Sequence, residues 1–166
     1  MKRLILLRHA KSSWVNPDLD DFDRPLNKRG KRSARELGKW LREAEHRPGQ
    51  VLCSAARRAR ETWEGLALEG APELRQDLYN APSEGLFDAL RAAEAPVVML
   101  IAHNPGIAAF AHEILAAPPD HARFADYPTG ALLVADFPVG EWSEVRAATG
   151  RAVVFVIPQD LADIPA

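Results

Sequence analysis

Two histidines and a pair of arginines in this sequence stand where short apolar runs stop. Leu4 to Leu7 gives way to Arg8-His9, and Val97 to Ala102 gives way to His103-Asn104. Arg57 and Arg58 follow a third run, Val51 to Cys53. These residue types point to one chemistry. A guanidinium stays charged at cellular pH and meets phosphate oxygens as a fork of N–H donors. An imidazole, with an ordinary pKa of ~6.5, is largely neutral at neutral pH and can act as a covalent nucleophile. A second imidazole and the arginines can neutralise the equatorial oxygens of a phosphoryl group in transfer. That arrangement requires no metal. Taken singly, each residue also has an ordinary structural reading. His9 can be a satisfied polar group after a strand, Arg58 a surface ion-pair partner and His103 a cap for the helix that follows. What separates these readings is whether the fold brings the residues together.

The elements that must position them are legible in outline. Lys2 to Leu7 reads as a buried strand, ending in a polar loop over residues 10–27. A helix is expected from Lys28 to Glu45, capped by Asn27, with Ala34, Leu37, Leu41 and Ala44 on one face. Lys28, Arg32, Arg35, Lys39 and Arg42 form its opposite face, expected to be solvated. Further strands are expected at 50–53, 74–78, 96–102, 131–137 and 152–157. Further helices are expected at 57–68, from a Ser83 cap through Ala93, and from Pro105 to Leu115. Strands alternating with helices imply one α/β domain over residues 1–166, a three-layer α/β/α sandwich around a mainly parallel sheet. Such sheets carry their sites at the carboxyl ends of the strands. Arg8, His9, Arg58 and His103 all fall there.

Composition removes other classes. The formal net charge is -2 and the pI about 6.2, which argues against a general nucleic-acid binder. The first apolar run is too short for a signal peptide or a membrane span, so the cytoplasm is the expected location. Cys53, the one cysteine, has no internal disulfide partner and reads as a buried strand residue. The aspartates at 18, 20, 21 and 23 do not follow the EF-hand pattern, and pairing with Arg24 is expected instead.

Four segments carry a resemblance. Arg8-His9-Ala10-Lys11-Ser12 resembles the R-H-G/A signature of the histidine phosphatase superfamily. Ser54-Ala55-Ala56-Arg57-Arg58-Ala59-Arg60-Glu61-Thr62 is similar to its S-P-x-x-R-A-x-Q-T segment, with Ala55 for the proline and Glu61 for the glutamine. Ala102-His103-Asn104-Pro105 resembles G-H-N-P, and Arg24-Pro25-Leu26 with Gly30 resembles the stretch before the first helix. The chain looks most like the small bacterial SixA-type phosphohistidine phosphatases, which implies a phosphoglycerate mutase-like fold. The resemblance implies that His9 is the phosphorylated nucleophile. Arg8, Arg58 and His103 would form the phosphate pocket, with Lys11, Ser12 and Asn104 at its periphery. Arg57 falls where the family is variable.

Larger relatives place a carboxylic acid after the third strand, and Glu84 lies in that region as a possible general acid. Its ordinary reading is a first-turn helix residue favoured by the helix dipole. The expected activity is metal- and cofactor-independent hydrolysis of phosphohistidine on a phosphotransfer protein, releasing inorganic phosphate. The alternatives are a phosphomonoesterase acting on a small metabolite and a phosphate-binding or docking module without turnover. Trp14 and Thr129 are further candidates to border the site.

Overall fold

Successive side chains of a strand point to opposite faces, so a continuous run such as Leu4-Ile5-Leu6-Leu7 has to be covered on both sides. The computed structural model, which describes residues 1–162, provides that cover. Its sheet contains β1 (Lys2–Arg8), β2 (Gln50–Ser54), β3 (Glu73–Arg75), β4 (Val97–Ala102), β5 (Leu132–Phe137) and β6 (Arg151–Val156), ordered β3-β2-β4-β1-β5-β6. Leu4, Leu6, Val98 and Leu100 pack on one side with α3 (Ser83–Arg91) and α4 (Gly106–Ile114). Ile5, Leu7, Met99 and Ile101 pack on the other with α1 (Lys28–Glu43), α2 (Arg57–Leu66) and α5 (Pro158–Ala162). The result is a three-layer α/β/α sandwich.

The sheet is mainly parallel, as expected. β3, β2, β4 and β1 run in one direction, while β5 is antiparallel to β1 and β6 to β5. Apolar periodicity carries no direction, so this edge was not readable from it. The expected strand at 74–78 is shorter. It stops at Arg75, and Gln76–Leu78 turns as a 3-10 helix that buries Leu78 and delivers Tyr79 toward the sheet edge. Ser83 is not a cap. Pro82 holds the cap position of α3, and the Ser83 hydroxyl bonds the Glu113 carboxylate instead. α2 ends two residues early, at Leu66, with Ala67 in the left-handed region at φ 52°. The basic residues of α1 at 28, 32, 35, 39 and 42 are all exposed.

Asn27 caps α1 as expected, its Oδ1 accepting the Gly30 N–H at 2.8 Å. The same turn closes the loop over residues 10–27, because Asn27 N–H donates to Lys11 O at 3.0 Å. Gly30 permits this approach, since a Cβ there would lie 2.1 Å from Lys11 O. A Gly→Ala change inside a helix ordinarily stabilises by up to about 1 kcal/mol. Gly30→Ala is expected to do the opposite, costing about 1–3 kcal/mol through overpacking. Urea unfolding measures the difference, and a stabilised variant would contradict this account of the contact.

Candidate active site

Register brings the candidate residues to one edge. β1 pairs with β4 so that Arg8 lies opposite Ala102, and β2 pairs with β4 so that Cys53 lies opposite Ile101. The next residues of β1 and β4, His9 and His103, therefore leave the sheet at one level, and Ser54, the last residue of β2, lies one step behind them. The His9 and His103 ring centroids are 5.0 Å apart. Arg58 enters from the first turn of α2. Together they open on a hollow of about 290 Å³ that is also bordered by Lys11, Ser12, Trp14, Arg24, Asn104 and Thr129. Every pocket residue expected from sequence thus lines this hollow, except Glu84. Glu84 is exposed in the first turn of α3 and is not part of the lining. Arg57 points outward and pairs with Glu61 at 3.2 Å, whereas Arg58 is buried.

Hydrogen bonds assign the ring nitrogens. His9, 5% exposed, donates its Nδ1–H to Ala10 O at 2.7 Å, which leaves the Nε2 lone pair free. His103, 3% exposed, places Nε2 2.7 Å from Ser54 Oγ. Ser54 Oγ already accepts the Ala56 N–H at 3.2 Å, so its own proton has His103 Nε2 as acceptor among the described residues. The ring proton of His103 then resides on Nδ1. That nitrogen is buried and unpartnered among the described residues, as is Arg8 Nε. A buried donor left unsatisfied costs about 1–3 kcal/mol. Two such donors on residues lining one hollow suit an anion with several acceptor oxygens.

Several residues hold this set in place. Thr62 on α2 accepts the Ala10 N–H at 2.9 Å and donates to Arg58 O at 2.7 Å, tying the backbone beside His9 to the arginine. Asp21 accepts from Arg58 Nη2 at 3.0 Å, from Arg24 Nη1 at 2.7 Å and from the Tyr79 hydroxyl at 2.5 Å. Its backbone carbonyl accepts from Arg58 Nη1 at 2.6 Å. The expected Asp–Arg24 pairing is therefore present, but the Arg58 link and Tyr79 were missed. The carbonyl of Tyr127 accepts from Arg8 Nη1 at 3.2 Å and from Asn104 Nδ2 at 3.1 Å. Tyr127 occupies φ 45°, a strained region for a bulky side chain, and its hydroxyl anchors it to Leu6 O at 2.6 Å. No local pattern marks Tyr127 or Tyr79 from sequence. Ser54 and Thr62 lie inside a quoted motif, and only their positions beside a strand end and on a buried helix face hint at these bonds.

Burial dominates the electrostatics. It pushes the His9 pKa well below the ordinary imidazole range, and the neighbouring His103, Arg58 and Arg8 add to the effect. Burial also lowers His103 to about 4, with Arg58 reinforcing and Asp21 opposing. Arg8 is lowered by burial and by the like charge of Arg58. At Asp21 partial burial acts upward, but the hydrogen bonds from Tyr79, Arg24 and Arg58 outweigh it and bring the carboxyl to about 2. Both imidazoles are thus neutral at neutral pH, one with an exposed lone pair and one with a free N–H. No group of three or more His, Cys, Asp or Glu in metal-holding array occurs among the described residues. Nor is any helix among them long and apolar enough to cross a membrane.

A parallel-sheet edge that gathers two neutral imidazoles and two guanidiniums around a small hollow defines an anion-handling α/β enzyme. Comparison with known proteins narrows the class. A profile of the histidine phosphatase superfamily (branch 1) matches residues 4–80, which include His9 and Arg58 and stop short of His103. An uncharacterised protein of Mycobacterium leprae is 30% identical over 162 residues, covering 92% of this chain and all of that protein. Among solved structures, one assigned as a phosphohistidine phosphatase SixA from Agrobacterium tumefaciens is 30% identical, with a TM-score of 0.79 over 95% of this chain and 99% of its own. Another with the same assignment, from Nakamurella multipartitia, is 27% identical, with a TM-score of 0.81 over 95% of this chain and 96% of its own. The chain belongs to the histidine phosphatase superfamily, with the phosphoglycerate mutase-like fold, and is a phosphatase.

The lowered histidines make stability depend on pH with a definite sign. Between about 4 and 6.5 the unfolded chain binds protons that folded His103 refuses, so stability falls as the pH drops through that window. The slope is about 1.4 kcal/mol per pH unit for one such group. His103→Asn is expected to flatten this limb in urea unfolding at stepped pH. An unchanged slope would contradict the assignment.

Proposed function

We propose that this phosphatase hydrolyses phosphohistidine through a phospho-His9 intermediate. The observation that carries the reading is the make-up of the hollow. Its lining holds imidazole, guanidinium, ammonium, hydroxyl and amide groups, and no carboxyl group. A phosphate monoester releases an alkoxide, a poor leaving group that needs a proton from a positioned acid. Asp21 is nearby, but at about 2 it holds no proton to give. Glu84 is outside the lining. A phosphohistidine leaves as an imidazole, whose unphosphorylated ring nitrogen takes up a proton from water near neutral pH. That chemistry needs no acid from the protein. The assignments of the Agrobacterium and Nakamurella relatives support the same substrate class.

The steps follow from the hydrogen bonds. His9 Nε2 attacks phosphorus in line with the departing nitrogen. Arg8 Nε, the free N–H groups of Arg58 and His103 Nδ1–H stabilise the three equatorial oxygens. His9 keeps its Nδ1–H on Ala10 O throughout, so the phosphorylated ring carries a positive charge that the carbonyl steadies. That charge makes the ring a good leaving group for the second step, in which water attacks phosphorus and releases inorganic phosphate. A phosphorylated protein, such as a phosphotransfer protein, is the partner this reading implies.

His9→Ala is expected to stay folded and lose turnover. The wild type should trap acid-labile phosphate from a P–N substrate, and the variant should not. Phosphoramidate should be hydrolysed in preference to p-nitrophenyl phosphate and sugar phosphates, and Glu84→Gln should leave kcat/KM for phosphoramidate unchanged. Undiminished activity in His9→Ala would end the proposal. A preference for monoesters together with a strong loss in Glu84→Gln would transfer it to a metabolite phosphatase.

A further inference from the structure

Trp14 differs from the other exposed apolar side chains. Met1, Val15, Leu74 and Val153 are also exposed, but Trp14 alone of these lines the hollow of the candidate active site. Trp14 is 75% exposed, whereas Trp142 and Trp63 of the same chain are buried in the core. High exposure does not leave it loose. The guanidinium carbon of Arg24 lies 3.2 Å from the ring centroid. Arg24 is itself buried and fixed, donating to Ser13 O at 3.1 Å, to Asp21 Oδ1 at 2.7 Å and to the Ser12 hydroxyl. One indole face therefore rests on an immobilised cation, and the remainder of the ring meets solvent at the mouth of the hollow. Burial gains little from such a placement, because most of the ring's apolar area stays in water.

The position does suit a leaving group. In-line displacement sends the departing atom away from His9 Nε2, out of the floor of the hollow and toward its rim. At about 290 Å³ the space bounded by His9, Trp14 and Thr129 is large enough for more than the phosphoryl group alone. We propose that Trp14 is a specificity residue whose free face stacks on the flat imidazole ring of the phosphohistidine leaving group. The proposal rests on the P–N reading above and goes beyond it by naming what recognises the ring. Arg24 preorganises the indole, so that little side-chain freedom remains to be lost on binding.

The test compares two substrates with the same P–N bond. N-Phosphoimidazole carries the ring and phosphoramidate lacks it. Stacked aromatic pairs of this kind are worth roughly a three- to tenfold change in an equilibrium or rate ratio. Trp14→Leu is expected to lower kcat/KM for N-phosphoimidazole by about that factor relative to phosphoramidate, with Trp14→Phe retaining most of the ratio. Equal losses on both substrates would make Trp14 a scaffold residue and overturn the proposal. So would no loss on either, or a loss confined to phosphohistidine carried on a protein, which would mark a protein-docking contact. A wild type that hydrolyses neither P–N compound but does hydrolyse a monoester would remove the substrate reading and this inference together. Wild-type activity on both, with an unaltered ratio in Trp14→Leu, would remove the inference alone.

Discussion

In the parallel trio β2, β4 and β1, the registers pair Cys53 with Ile101 and Arg8 with Ala102, and the site depends on those two pairings. His103 and His9 leave the sheet side by side, one step beyond Ser54 at the end of β2, on a pitch set by the strand spacing of about 4.8 Å. The separation of 5.0 Å between the two imidazole rings is close to that pitch. A slip of one residue in β1 would turn His9 to the opposite face. It would also exchange Leu4 and Leu6 with Ile5 and Leu7 between the two core clusters. Burying both faces of the sheet therefore enforces the register that the chemistry uses, and the outer helices contribute to the site by making any other register costly.

The same burial sets the charge state of the edge. Two imidazoles lose their protons to desolvation, and the neighbouring arginines further disfavour a charged ring. The outcome is a neutral His9 imidazole beside fixed positive charge, with Asp21 offsetting part of that charge at Arg58. Arg8 Nε and His103 Nδ1 remain buried donors without partners among the described residues, and Tyr127 holds a strained backbone to direct its carbonyl at Arg8. Each of these is unfavourable for folding in isolation. Together they describe a site whose polar groups are arranged in advance for an anion with three acceptor oxygens, so the ligand meets little reorganisation on arrival.

His9, Arg58 and His103 were legible in sequence because each comes shortly after the end of an apolar run, and because the carboxyl ends of a parallel sheet share one edge. Sequence resemblance chose Arg58 over Arg57, and burial explains the choice, since Arg57 turns outward to Glu61. The direction of β5 and β6 was not legible, because an apolar run reads the same in either sense. The residues that hold the pocket were harder still. Arg8 meets the carbonyl of Tyr127 across 119 positions, and Ser54 meets His103 across 49. Such bonds leave no local spacing to detect. Glu84 illustrates the converse. Its place after β3 fits a possible acid, but the backbone of Ala81 packs against Gly106, where a Cβ would come within 1.9 Å of Ala81 O. α3 then begins with Glu84 on its exposed side.

The loop over residues 10–27 joins these themes. It contributes little to either core cluster, with Ala10 and Leu26 its only buried apolar residues. It is held by polar contacts instead. Ser13 N–H donates to Pro25 O, Asn27 N–H to Lys11 O and Leu26 N–H to Glu61 Oε1, while Asp21 receives both Arg24 and Arg58. Two of these anchors, Glu61 and Arg58, lie on α2 together with Thr62, which grips Ala10 beside His9. The geometry of Arg58 and the order of the loop that carries Trp14 and Arg24 are consequently one problem, solved by one helix. Glu61 in place of the family's glutamine fits this arrangement, because its second oxygen also receives Arg57. An amide there would keep the bond to Leu26 N–H and would lose the charge that holds Arg57 away from the hollow.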